Sequence, residues 1–221
     1  MEFGTNKILI TGVNGWLGKT LIQVLSSGIS SHPDLKNPPK DIKIKGLALP
    51  NENTNIIKSI SSEVKIFYGD ITNKQDCDHF TNDAKGAILF HCAGIIHPKR
   101  VKDFFNINVE GTKNIFESSI KNKIKKIIVI SSNSPCGTNP NNEHLFDELS
   151  LYNPYLNYGK SKMIMELLVK RFVESGKIES VIIRPPWFYG PHQPNRQIRF
   201  YKMIRDGKIP IIGNGKNKRS L

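Results

Sequence analysis

The chain has 221 residues, 38% hydrophobic and 23% charged, which are proportions of a soluble globular protein with a substantial core. No apolar run approaches bilayer-spanning length and no hydrophobic leader precedes the first β-branched run, so neither a membrane partner nor a secretory signal is expected. The net charge of +13 brings no nucleic-acid-binding module and no basic–aromatic interleaving, so a nucleic-acid partner is not expected either.

In chain order, short apolar runs at residues 7–11, 42–49, 64–68, 87–91, 127–131 and 180–184 read as strands buried on both faces of a parallel sheet. Segments with helical spacing lie between them, notably 15–25, 101–120 and 154–175. This alternation predicts an α/β fold, a Rossmann-type doubly wound parallel sheet. Residues 30–40, with prolines at 33, 38 and 39, read as a surface loop. After Arg184 the sequence becomes rich in Pro and Gly and carries one more helix, about 196–206. The expected organisation is a nucleotide-binding domain over 6–190 and the start of a smaller substrate lobe over 191–221. From Arg196 onward there are eight basic residues against one acid, Asp206. Two readings stand: attraction for a phosphate-bearing ligand, or a solvated surface. Cys77, Cys92 and Cys136 are widely spaced without a metal-ligand pattern and read as reduced thiols in a cytoplasmic protein; no metal is expected.

Directly after the first strand comes Thr11-Gly12-Val13-Asn14-Gly15-Trp16-Leu17-Gly18, a G-x-x-G-x-x-G arrangement that opens a helix. Gly12 suits a tight turn, Gly15 a close approach of backbone to a pyrophosphate, and Gly18 tight helix–strand packing. The helix N-terminus then offers free N–H groups and partial positive charge to phosphates. A dinucleotide, NAD or NADP, is the implied ligand. The second strand ends Leu47-Ala48-Leu49-Pro50-Asn51-Glu52, with neither an acid nor an Arg at the place expected for ribose recognition. NAD is the expected cofactor because no Arg is near; NADP stays open.

Tyr158-Gly159-Lys160-Ser161-Lys162 lies early in an expected helix, with Tyr158 and Lys162 at i and i+4 on one face. A nearby ammonium favours the phenolate and lets the tyrosine act as acid or base. In isolation the pattern is a commonplace surface motif; its place in a series of motifs gives it meaning.

That series comprises the glycine cradle, Gly69-Asp70-Ile71-Thr72, His91-Cys92-Ala93-Gly94, Asn108-Val109-Glu110-Gly111-Thr112, Ser131-Ser132, the Tyr158–Lys162 pair and Arg184-Pro185-Pro186-Trp187-Phe188-Tyr189-Gly190-Pro191. It resembles the extended short-chain dehydrogenase/reductase superfamily, in its NAD-dependent epimerase/dehydratase group. The resemblance implies an enzyme whose cofactor is held by Gly12, Asn14, Gly15, Trp16, Leu17 and Gly18. Asp70, with Ile71 beside it, would contact the adenine side, Ala93 and Gly94 would line the cleft, and Pro185 would lie near the nicotinamide. Tyr158 and Lys162 would touch the cofactor and carry the catalysis. Ser132 would hydrogen-bond the reacting oxygen, and Asn108 would brace the catalytic helix. A homodimer through 101–120 and 154–175 is implied as well.

Two departures narrow the substrate. Dehydratases of the group carry an acidic pair after the active-site Ser, where this chain has Asn133-Ser134. Nucleotide-sugar members usually carry Asn at the position of Trp187, whose only polar atom is an indole N–H. That favours a reductase of apolar ketones as the alternative. In the other direction, Gly213-Asn214-Gly215 followed by Arg219 is similar to a diphosphate-binding segment of sugar-nucleotide epimerases, a task suited to guanidinium. The leading expectation is therefore a sugar-nucleotide epimerase. Tyr158 would remove a hydroxyl proton as hydride leaves, and the ketone, held by Ser132, would take the hydride back on its other face. A reductase would run the second half alone; a nucleotide sensor that does no chemistry would be expected to lack Tyr158 or Lys162. Family members usually continue well past this segment, so the substrate lobe is expected to be incomplete in this chain.

Overall fold

The β-branched runs assemble into one six-stranded parallel sheet in the computed structural model, which describes residues 4–141, 143–210 and 213–215. The strands are β1 (Lys7–Thr11), β2 (Lys43–Ala48), β3 (Lys65–Tyr68), β4 (Ile88–His91), β5 (Lys126–Ile130) and β6 (Glu179–Ile183). Their spatial order is β3-β2-β1-β4-β5-β6, the doubly wound order of a Rossmann fold. Ile8 sits opposite Ile44 of β2 and Ile88 of β4, and β5 and β6 pair from Lys126–Glu179 to Ile130–Ile183.

Side chains alternate between two cores, as a period of two requires. Leu9, Leu47, Leu89, Ile127 and Val129 face one side, where α3 (Lys74–Thr81), α5 (Thr112–Lys121) and α6 (Asn157–Glu174) bring Phe80, Phe116 and Met165. Ile8, Ile10, Ile44 and Ile88 face the other, against Ile22 and Leu25 of α1 (Trp16–Ser27) and Ile57 of α2 (Asn55–Ile60). The expectation that every strand is buried on both faces fails at the edge: in β6, Val181 and Ile183 are about half exposed.

The short helices α2 and α3 fall outside the helical segments read from the sequence. The first is a hexapeptide, NIIKSI, half of it β-branched Ile. The second, KQDCDHFT, is polar and starts because the Asn73 side chain accepts the N–H groups of Gln75 and Asp76. Residues 101–120, expected as one helix, are broken. After α4 (Lys102–Phe105), Asn106–Gly111 form a π-helical segment that leads into α5. Such a segment breaks the regular helical bonding and is common at functional sites; here it carries the buried Asn108. Beyond β6 the described chain carries α7 (Asn195–Arg205).

Candidate active site

The strand order reverses between β1 and β4, and ligands of such sheets bind outside the carboxyl ends at that switch point. A cleft of about 870 Å³ lies there. Its walls come from the loop after β1 (Asn14, Gly15, Trp16, Leu17), the segment after β4 (Cys92, Gly94), the ends of β5 and β6 (Ser132, Pro185, Trp187) and α6 (Tyr158, Lys162). Ten of the residues singled out in the sequence thus share one cavity: Asn14, Gly15, Trp16, Leu17, Gly94, Ser132, Tyr158, Lys162, Pro185 and Trp187.

The glycine cradle is built by close backbone approach. Gly12 has φ +65°, and a Cβ there would stand 2.8 Å from Ala93 Cα and N. A Cβ on Gly18 would meet Gly12 O at 2.5 Å, so α1 docks directly on the turn. The first helical bond runs from Lys19 N to Gly15 O, 3.1 Å, which leaves the amides of Trp16, Leu17 and Gly18 ahead of it without an i−4 carbonyl. The helix has no side-chain cap and no acid in its first turn. Its partial positive charge is therefore open to an anion, and these residues fit a dinucleotide pyrophosphate. Asn14 ties the cradle to the loop after β2 by donating to Asn53 O, 3.1 Å. In that loop Glu52 folds back, its carboxylate accepting Leu49 N at 3.0 Å. The acid that the sequence places too late thus returns to the end of β2.

Gly12, Gly18, Asp70, Ile71, Ala93 and Asn108 are not among the residues that line this cleft. Asp70 follows β3, its carboxylate accepting Thr72 N at 2.8 Å, and Ile71 is buried in the core. Asn108 is buried and ties its own segment to two others: its Oδ1 accepts Ile95 N (2.8 Å), and its Nδ2 donates to Ile95 O (3.1 Å) and Ser161 Oγ (3.0 Å). Arg219 lies outside the described residues.

Ser132 Oγ accepts Ser134 N at 3.1 Å and stands beside the Tyr158 phenol. Burial raises the Tyr158 pKa, and the Ser132 hydroxyl opposes the rise. The sequence suggests instead that Lys162 holds the phenolate. In this structure the Lys162 ammonium donates to Ile130 O at 2.9 Å, and burial dominates at Tyr158. Burial also brings the Lys162 pKa down to about 8, and the Glu166 carboxylate resists that shift.

Further contacts, several from residues not assigned a role in the sequence, brace the groups of the cleft. His91, fully buried at the end of β4, has its Nδ1 2.8 Å from Thr11 Oγ1 and its Nε2 2.9 Å from Thr112 Oγ1. Because the Thr112 hydroxyl donates to Asn108 O (2.7 Å), Nε2 carries the proton and Nδ1 accepts from Thr11. Burial drives the His91 pKa down to about 3, keeping the ring neutral. Glu166, one helical turn beyond Lys162, is buried under Arg184. A lysine and a glutamate at i, i+4 on a buried helix face was the signal available for it. Finally, Trp16 stacks on Phe188, centroids 4.3 Å apart, and its Nε1–H donates to Pro191 O at 2.5 Å. The cradle is thereby strapped to the segment after β6.

A profile of the NAD dependent epimerase/dehydratase family matches residues 8–221. The chain belongs to that family. It is 41% identical over 215 residues to the uncharacterized protein y4nL of Sinorhizobium fredii, across 97% of this chain and 59% of that protein. It is 27% identical over 173 residues to the N-acetyl-alpha-D-glucosaminyl-diphospho-ditrans,octacis-undecaprenol 4-epimerase of Escherichia coli O157:H7, across 75% of this chain and 51% of the relative. Among solved structures, UDP-glucuronic acid 4-epimerase from Bacillus cereus in complex with NAD superposes with a TM-score of 0.74 at 27% identity, over 91% of this chain and 64% of that one. The chain spans little more than half the length of the two relatives. Among the described residues no helix is long and apolar enough to cross a membrane, and no group of three or more His, Cys, Asp or Glu could hold a metal.

Proposed function

We propose that the chain is the nucleotide-binding part of an NAD-dependent epimerase acting on a secondary alcohol of a diphosphate-linked sugar. The observation that carries this is the convergence of Tyr158, Ser132 and Lys162 on the cleft whose other end is the uncapped N-terminus of α1. Residues 191–221 are then the beginning of the substrate lobe. The relatives, two of them 4-epimerases of diphosphate-linked sugars by name, support the substrate class.

NAD, when bound, accepts and returns hydride. Everything else falls to the chain. The α1 amides and the cradle backbone bind the pyrophosphate, Asp70 faces the adenine side, and Glu52 favours the free ribose hydroxyls of NAD over a 2′-phosphate. Ser132 orients the reacting oxygen. Tyr158 takes the hydroxyl proton and gives it back, with the raised resting pKa keeping it protonated until a ligand changes its surroundings. The aromatic wall of Trp187 on Phe200, centroids 5.4 Å apart, favours a second reading, reduction of an apolar ketone by the same residues.

We further place the protein in the cytoplasm and assign it a homodimer through α5 and α6, whose outer face exposes Ile164 and Leu167. The decisive experiment is to denature the purified protein and identify any nucleotide released, by absorbance and mass. Stoichiometric NAD supports the epimerase, which regenerates its cofactor in every turnover. Empty protein that binds added NADPH supports the reductase, and binding of neither refutes both.

A further inference from the structure

The Glu166 carboxylate has no exposure to solvent and sits in the middle of the site's supports. Arg184, from the end of β6, forks onto it, with Nε 3.2 and 3.0 Å from the two oxygens and Nη2 2.7 Å from Oε2. Tyr152, from the loop before α6, donates to Oε2 at 2.8 Å. Ser131, the last residue before Ser132, donates to Oε1. One carboxylate thus ties the end of β5, the end of β6 and the catalytic helix together. The Arg184 guanidinium is further covered by the Tyr152 ring, 5.3 Å from its centroid.

So dense a cluster of donors exceeds what packing requires, since a buried ion pair is seldom more stable than apolar residues of the same volume. Its position supplies another reason. Glu166 lies four residues beyond Lys162, so the two side chains emerge on the same face of α6, where Cβ atoms are about 5–6 Å apart. Lys162 itself is buried, with one carbonyl, Ile130 O, and the soft Met165 sulfur as hydrogen-bond partners. Around it stand Tyr158 on its own helix and the neutral His91 and Cys92 at the end of β4; burial pushes the Cys92 thiol up to about 12, so it stays uncharged. Around Glu166 stand Arg184, Tyr152, Lys170 and the Cys136 thiol. Of the carboxylates here, Glu166 acts on Lys162, and Asp147 acts on the Cys136 thiol, more weakly than Glu166 does.

We propose that Glu166 is a positioning residue: its carboxylate fixes Ser131, and through it Ser132, against α6, and it keeps the Lys162 ammonium charged where that side chain is almost wholly buried. The role rests on the proposed function, in which Lys162 and Ser132 serve the reaction; the charge on Lys162 is measurable without it.

The test is a pH titration of the Lys162 side chain, followed by lysine 13Cε and 15Nζ NMR, in the wild-type chain, Glu166→Gln and Glu166→Asp. The wild type is expected to titrate near about 8. Glu166→Gln is expected to move the midpoint down by about one pH unit or more, the effect of losing an opposite charge at this distance. Glu166→Asp, which keeps the charge but shortens the side chain, should stay near the wild type. Equal midpoints in wild type and Glu166→Gln overturn the proposal, as does an equal shift in Gln and Asp variants, the mark of a purely structural role. If Glu166→Gln alone does not fold, Glu166→Gln/Arg184→Gln removes the ion pair as a unit and must still shift the midpoint downward, by less, because the opposing Arg184 charge leaves with the carboxylate; an unshifted midpoint overturns the proposal. NAD binding by the same wild-type sample separates the two questions: its absence refutes the proposed function while the Lys162 titration still decides the role of Glu166.

Discussion

Gly12→Ala tests whether the cradle depends on close backbone approach or merely on a flexible turn. The substitution has two separable costs. At φ +65° an L residue is strained by about 1–2 kcal/mol. The new methyl would stand 2.8 Å from two backbone atoms of Ala93 and 3.0 Å from the Cys92 carbonyl carbon, so the end of β4 must shift, an overpacking cost of about 1–3 kcal/mol. Gly86 provides the control: it has φ +76° and nothing within 4 Å of an added Cβ, so Gly86→Ala carries the backbone strain alone. The difference between the two variants is the steric part, about 1–3 kcal/mol, or about 2–12 °C in Tm for a chain of this size. Thermal unfolding of both variants, with NAD titration by fluorescence, reads it out. Gly12→Ala should melt below Gly86→Ala and bind NAD more weakly, while Gly86→Ala should bind like the wild type. Equal melting temperatures and equal affinities for the two would refute the close-approach account.

Trp16→Ala removes an aromatic stack and an indole hydrogen bond, together about 1–3 kcal/mol, and should speed NAD release by about 5- to 150-fold in stopped-flow fluorescence. Unchanged release would mean the strap does not gate the cleft. His91 has a folded pKa of about 3 against an ordinary 6.5, so between those values the unfolded chain binds the extra proton and stability falls as pH falls. Stability should therefore fall steadily below about pH 6.5, by about 5 kcal/mol at full effect, read out as a falling Tm, and His91→Gln should flatten that acid arm. Glu52→Gln should narrow the preference for NAD over NADP by about tenfold or more in paired Kd measurements; an unchanged ratio would remove Glu52 from ribose recognition. Leu167→Arg should convert a sedimenting dimer to monomer if α5 and α6 form the interface, and a wild-type monomer would refute that interface outright.

What was legible in the sequence is what periodicity and backbone chemistry record. Each strand is a short β-branched run between breakers, and all six occur within two residues of their expected limits. The cradle was legible because Gly12 and Gly18 are demanded by contacts that any side chain would obstruct. Helices α2 and α3 were not, since one is a six-residue segment half made of Ile and the other is mostly polar, with Cys77 and Phe80 as its buried apolar residues; both exist because the tertiary fold and the Asn73 cap hold them. Glu52 illustrates a different limit. Counting residues along the chain places its carboxylate four positions past β2, while the Leu49–Glu52 turn brings it back. Contacts between distant segments, such as Glu166 with Arg184 or His91 with Thr112, leave no periodic trace, because each residue is an ordinary member of its own element.

The electrostatics of the pair at the centre follow from the same burial that makes the cleft. Desolvation acts against whichever form of each group is charged, raising Tyr158 and lowering Lys162, so two groups that titrate close together in water are driven apart, with the phenol above the ammonium. At neutral pH the phenol keeps its proton and Lys162, at about 8, remains mostly ammonium. Proton transfer from a substrate hydroxyl to this tyrosine therefore requires the phenolate to be made more favourable than the free protein makes it. The low dielectric that opposes the phenolate also strengthens any positive charge brought beside it. A site of this kind is quiet when empty and responsive when filled, and the Glu166 carboxylate is the group on the same helix that favours the lysine's charge.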